Sequence, residues 1–229
     1  MKCAPRPAVC GVSLPTFPVS IWSPDESQLQ LVGRLAPLCQ DVPWTEQSQR
    51  GLRYYFDNDY FCTGDALVLQ SMLRLLRPRR FVEVGSGFSS ALVLDTNDLF
   101  LGELACTFID PDPVRLRALL TPSDHRLHTV IEEKVQEVDR SIFQSLEAGD
   151  FLFIDSSHVS KTGSDVNFLM LDVLPTLAPG VICHIHDIPP RSNIRSVGST
   201  RGALGTRFTS SEHSWRSTAR SGYGCSTAT

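Results

Sequence analysis

From residue 81 onward, short apolar runs alternate with stretches whose apolar residues recur every three or four positions. The runs are FVEV (81–84), LACTFID (104–110), HTVI (128–131), FLFID (151–155) and VICHIHD (181–187). Helical spacing fills the intervals near 88–96, 112–120, 139–147 and 165–177. Strand–helix alternation of this kind predicts parallel strands joined by right-handed crossovers, hence an α/β, doubly wound sheet. Upstream the pattern is sparser. Residues 1–22 carry prolines at 5, 7, 15 and 18 and read as irregular. Ser23-Pro24-Asp25-Glu26 has the chemistry of a helix start, and Leu29, Val32 and Leu35 are expected on its inward face. The aromatic stretch YYFDNDYF (54–61) follows. A second helix then opens at Thr63 or Asp65, carries Leu69, Met72, Leu73 and Leu76 on one face, and stops at Pro78. After Ile188 apolar periodicity disappears. The pattern divides the chain into a lead-in (1–65), an α/β domain (66–188) and a tail (189–229).

The polar residues that interrupt this pattern are acids at strand ends. Glu83 lies inside the first run near its end, Asp110 closes the second, Asp155 the fourth and Asp187 the fifth. Open α/β sheets bind ligands beyond the carboxyl ends of their strands, so these acids are expected on one binding rim. Gly85-Ser86-Gly87 sits between the first run and the next helix, where glycine permits a sharp turn and close approach of a ligand to the backbone. A dinucleotide fingerprint would place a third glycine where Ser90 stands. Taken alone, the turn serves either a ligand or a tight strand–helix connection.

Composition narrows the picture without naming a function. The chain has 229 residues, 41% hydrophobic and 20% charged, ordinary for one well-filled core. No apolar run is long enough to cross a bilayer, and the N-terminus has no continuous apolar segment of signal-peptide type, so no membrane partner and a cytoplasmic location are expected. Seven cysteines without a CxxC pair point to reduced, mostly buried thiols. Residues 1–188 carry 15 basic against 24 acidic side chains, a net of −9; residues 189–229 carry six arginines against one glutamate, a net of +5. The basic tail does not amount to a nucleic-acid partner, because a plainer origin is expected for it.

The residues E-V-G-S-G (83–87) resemble motif I of class I S-adenosylmethionine-dependent methyltransferases. FLFIDSSH (151–158), HIHD (184–187) and YYFDNDYFCTGDA (54–66) are similar to small bacterial methyltransferase domains, and the resemblance covers roughly residues 50–188. It implies a Rossmann-like sheet of order 3-2-1-4-5 and S-adenosyl-L-methionine as cofactor. Glu83 and the turn Gly85, Ser86, Gly87 would face its methionine part and ribose, and Asp110 its ribose hydroxyls. Val135 and Gln136 would flank adenine, and Asp155 would stand beside the methyl group. Catalysis would fall to Asp155, His158, His186 and Asp187, with His158 or His186 as general base. A divalent cation at Asp155 and Asp187 is the disfavoured alternative, since Ile188 stands where metal-dependent relatives want an amide or acid. His184 and His186 are expected on opposite sides of their strand, so that at most one enters the site. His125, His128 and His213 read as ordinary core or surface residues. Tyr54, Tyr55 and Tyr60 line an acceptor pocket or pack the flank of the sheet.

The implied product is methylation, at oxygen, of a small-molecule or saccharide-like acceptor. Two other readings remain at this point: a NAD-binding Rossmann oxidoreductase and a non-catalytic methyltransferase remnant. The remnant arises because the family fold continues with a helix and two closing strands, and the Ser-, Thr- and Arg-rich tail supplies neither. ALGTRFTSSEHSW (203–215) can be encoded so that a shifted frame reads as an apolar helix. The tail is therefore expected to be a frame-shifted reading and the closing strands to be missing.

Overall fold

The computed structural model describes residues 26–187. Readings that concern the Ser23 cap, His213, the frame-shifted tail and the closing strands lie outside these residues. Five strands form one parallel sheet: β1 (Arg80–Val84), β2 (Ala105–Ile109), β3 (Thr129–Ile131), β4 (Phe151–Ile154) and β5 (Ile182–Ile185), in the order β3-β2-β1-β4-β5. The helices are α1 (Glu26–Gln40), α2 (Thr63–Leu76), α3 (Phe88–Thr96), α4 (Val114–Leu119), α5 (Asp124–Leu127), α6 (Ser141–Gln144) and α7 (Asp165–Phe168). All five strands fall on the predicted runs. The helix between β4 and β5 is less regular than its spacing predicts. After α7 the backbone passes through a π turn (Leu169–Val173) into a 3₁₀ turn (Leu174–Thr176), where Pro175 has no N–H to continue an α-helical ladder. α6 is also shorter than its predicted interval.

Side-chain alternation along the strands divides the core in two. Phe81, Phe108, Phe151 and Phe153 point to the face covered by α2 and α3, where they meet Trp44, Tyr54, Phe61, Leu69 and Leu73. Val82, Val84, Ile109, Leu152 and Ile154 point to the other face and meet Val135, Phe143, Phe168 and Leu169. The aromatic stretch is thus part of the first core. Tyr54 is 1% exposed and donates its hydroxyl hydrogen to the Phe61 carbonyl at 2.8 Å. α3 is buried along its whole length, which explains why FSSALVLDT lacks a polar face. On α1 the expected inward face is only partly realised. Leu35 is buried, but Leu29 and Val32 stay exposed, because this helix packs along α2 at the periphery rather than against the sheet.

A buried ion network secures the lead-in. Asp95 on α3 accepts hydrogen bonds from Trp44 Nε1 and the Tyr54 backbone, both at 2.9 Å, and from the Arg53 backbone and guanidinium. Arg53 also donates to Asp98 and Asp124. The aromatic segment is thereby tied to two elements distant in sequence. Among the four described cysteines, Cys62 and Cys106 are buried and Cys39 is half-buried, whereas Cys183 is exposed on β5, against the expectation for thiols in general. No helix among the described residues is long and apolar enough to cross a membrane.

Candidate active site

The rim is a product of register. Val84, Ile109, Ile131, Ile154 and Ile185 are the last residues of their strands and lie level across the sheet. The next residues are pinned by ladder hydrogen bonds that continue past the strand ends: Gly85 N to Ile109 O (2.9 Å), Asp110 N to Ile131 O (3.0 Å), Asp155 N to Val84 O (2.8 Å) and His186 N to Ile154 O (2.8 Å). Gly85, Asp110, Asp155 and His186 therefore stand side by side, with Asp187 one step beyond. Of the acids expected on the rim, Glu83 is the exception. It lies two residues back, where alternation turns it under α3. Its carboxylate is fully buried and accepts from Ser89 Oγ and, at 2.8 Å, Ser90 Oγ. Glu83, expected to face a ligand, here braces the first turn of α3 from below. Burial pushes its carboxyl up to about 8, against the opposing pull of the two serine hydroxyls.

The glycine turn is held in place from within the protein. Gly85 has φ +85°, and a Cβ there would lie 2.0 Å from the Asp155 carbonyl oxygen. Its missing side chain therefore lets the ends of β1 and β4 close on each other, a requirement of the fold itself. Ser86 donates to Asp110 Oδ2 through both its backbone N–H (2.8 Å) and its hydroxyl (3.0 Å), and Asp110 Oδ1 accepts from Asp112 N at 2.8 Å. Gly87 N donates to Ser90 Oγ at 3.1 Å. Ser90, standing where a dinucleotide fingerprint wants glycine, is committed to both the turn and Glu83.

A hollow of about 480 Å³ opens beside this turn. Its lining includes Gly85, Val135, Gln136, Asp155, Lys161 and Asp165. Gln136 Nε2 donates to the Gly163 carbonyl at 3.0 Å, which fixes that side chain across the hollow's wall. Three of the predicted groups thus share one cavity: the turn, the pair after β3 and the acid after β4. Asp110 adjoins it through Ser86 and Ile109.

Asp155 collects two histidines. Its Oδ1 lies 3.1 Å from His158 Nε2 and 3.3 Å from His186 Nδ1. His186 is buried and also faces Asp187 Oδ1 at 3.5 Å and, through Nε2, Asp65 Oδ2 at 3.6 Å. Burial alone would keep both ring and carboxylate neutral. The contacts with Asp155 and Asp65 outweigh it and raise the His186 imidazole well above its ordinary range, while the bonds from His158 and His186 hold the Asp155 carboxyl well below the usual carboxylate range. His186 is thus a buried imidazole whose charged form the surrounding carboxylates favour. His158 (φ +59°) and Asp187 (φ +55°) both sit in the left-handed backbone region, a concentration of strain at this corner.

The expected opposition of His184 and His186 is overturned. Residues two apart on a strand share a face, and both rings pack against Phe153, with centroids 4.9 and 5.9 Å away. His184, beside the cationic His186, is pushed down to about 4 by burial and then by that charge. Asp65 was missed as a site residue. The sequence pattern marks it as a helix opener, and its burial at 7% beside Cys62 and His186 follows from α2 docking on the sheet. The signal available was an acid inside the apolar FCTGDALVL stretch. Among the tyrosines, Tyr54 packs the flank, Tyr55 packs edge-on against Phe88, and Tyr60 reaches the surface near the turn. Among the described residues no group of three or more His, Cys, Asp or Glu side chains has an arrangement able to hold a metal ion.

A parallel sheet of this order, with a glycine turn after its first strand tied to the acid after its second, is a Rossmann-like α/β arrangement. Residues 82–188 match the family model described as "Methyltransferase domain". An uncharacterized protein of Archaeoglobus fulgidus is 34% identical over 122 residues, covering 52% of this chain and 53% of its own length. The chain thus spans about half of the curated relative it matches. Among solved structures, one described as "cmcI-N160 SAH" is 20% identical, with 72% of this chain and 82% of that one covered and a TM-score of 0.44. Another, "cmcI-D160 Mg-SAM", is 24% identical, with 68% and 66% covered and a TM-score of 0.43.

Proposed function

We propose that this protein is an S-adenosylmethionine-dependent methyltransferase that acts on a hydroxyl of a small-molecule or saccharide-like acceptor. One observation carries the reading: Ser86 of the glycine turn is hydrogen-bonded to Asp110, and the turn continues into the wall of the hollow. The residues fit the cofactor. Asp110 accepts three hydrogen bonds within the protein, so of its about four acceptor sites one, on Oδ1, is left for a ribose hydroxyl, and a second ribose hydroxyl would take the place of the rotatable Ser86 hydroxyl. Gln136, pinned through its Nε2, keeps Oε1 as an acceptor for an exocyclic amine. The volume falls within the usual range for ligand cavities. When bound, S-adenosylmethionine supplies a methyl group already activated by its sulfonium charge.

The chain's own task is to place the acceptor in line and to take its proton. His186 does not suit that second role, because flanking carboxylates keep it protonated. Its charge instead keeps Asp155 ionised. Asp155 then accepts from His158 Nε2–H, and this tautomer leaves Nδ1 of the half-exposed His158 as the proton acceptor. A divalent ion at Asp155 and Asp187 would have to displace His186, which faces both, and no step is assigned to one. Calorimetry of the full chain with S-adenosylhomocysteine and with NAD tests the reading. Binding of the first with no binding of the second is expected, and the reverse result overturns the assignment.

A further inference from the structure

Arg115 is the feature near the turn that none of the roles above uses. It lies in the first turn of α4, exposed, and its stem crosses the glycine turn: a Cβ on Gly87 would lie 3.1 Å from Arg115 Cδ and 3.6 Å from a guanidinium nitrogen. Its guanidinium carbon rests 3.6 Å from the centroid of the Tyr60 ring, and Tyr60 is stacked in turn on Phe88, the first residue of α3 (6.0 Å, interplanar 10°). The turn is thus flanked by a layered stack of guanidinium, phenol and phenyl. Among the described residues no carboxylate lies within ion-pair distance of Arg115. The other arginines of this region differ in that respect: Arg53 and Arg117 are paired with acids. Stacking fixes the guanidinium plane but occupies only its face, so the N–H donors around its edge stay available in a planar fork that matches a carboxylate.

Resting on the methyl-donor reading, we infer that Arg115, held on Tyr60, anchors the carboxylate of the donor's amino-acid end. The donor is a zwitterion at that end, and its carboxylate needs a cation that the hollow's other side does not assign to it. Lys134 faces Glu137 at 3.9 Å, and Lys161 lies on the wall shared with Gln136 and Gly163, the side taken for the base. Arg115 lies over the turn itself. Gly87 serves the same arrangement, since a side chain there would push the arginine stem away. Arg115 is accordingly a specificity residue for an amino-acid-bearing nucleoside over a plain one.

The test is calorimetry on wild type, R115Q and R115K with two ligands: S-adenosylhomocysteine, and 5′-methylthioadenosine, which keeps the nucleoside and lacks the amino acid. Wild type is expected to prefer S-adenosylhomocysteine. R115Q is expected to lose about tenfold or more in affinity for it, the scale of a charge-assisted hydrogen bond, and to bind 5′-methylthioadenosine as wild type does. R115K should recover part of the loss, because it restores charge without the fork. An R115Q chain that binds S-adenosylhomocysteine unchanged, or that loses both ligands equally, overturns the anchor while leaving the methyl-donor reading intact. A wild-type chain that binds neither ligand overturns both.

Discussion

Substituting Gly85 by alanine puts the architecture of the rim to a direct test. The added Cβ would lie 2.0 Å from the Asp155 carbonyl oxygen, far inside contact distance, and that oxygen belongs to backbone and cannot swing away. The residue also has φ +85°, where an L side chain costs roughly 1–2 kcal/mol. Relief of the clash requires the ends of β1 and β4 to part, which strains the Asp155 N to Val84 O bond of 2.8 Å. Losing a buried backbone bond costs about 1–3 kcal/mol. Together these place G85A at roughly 2–5 kcal/mol of lost stability. Gly149 provides an internal control. Its φ is +89° and nothing lies within 4 Å of a Cβ there, so G149A should cost only the backbone strain, roughly 1–2 kcal/mol. Urea denaturation of both variants beside wild type measures the difference, and calorimetry with S-adenosylhomocysteine reads the site. G85A should also weaken that ligand, because Asp155 and Ser86 move with the strand ends, whereas G149A should not. Equal destabilisation of the two variants would refute the close-approach argument.

Three further outcomes are expected. The buried Glu83 holds its proton up to about pH 8 against an ordinary value of 4.5, so its contribution to stability is complete below pH 4.5 and is lost as pH rises through 8; wild-type stability minus that of E83Q, followed by urea midpoints from pH 5 to 9, should fall with pH, and a flat difference would contradict the burial argument. D95A leaves three buried donors, Trp44 Nε1 and the Arg53 and Tyr54 backbone N–H groups, without an acceptor while the Arg53 guanidinium keeps Asp98 and Asp124, so denaturation should show a loss of about 3–5 kcal/mol, with a loss under about 1 kcal/mol telling against the clamp. H158A should lower kcat by about 10²–10⁴-fold in a labelled-methyl transfer assay while S-adenosylhomocysteine affinity is unchanged; intact turnover would remove His158 from the proton-accepting role.

Much of this protein was legible in its sequence because strand and helix periods are local. Short, nearly continuous apolar runs, separated by segments of period near four, determined five parallel strands, the position of α3 and the doubly wound class. The two-glycine turn and the acids closing the second, fourth and fifth runs pointed to one rim, since residues that follow level parallel strands must share it. Other features depended on which elements meet, and no local pattern encodes that. Glu83 turned out to brace α3, because its neighbours Ser89 and Ser90 arrive from the next helix. Gly85 is required by the Asp155 backbone, 70 positions away in the chain. The charge of His186 is set by Asp65, Asp155 and Asp187, which come from three elements, and only their convergence in a buried corner outweighs the cost of desolvating an imidazolium. Burial and electrostatics are properties of the assembled layers, so they appear only once the sheet and its helices have closed.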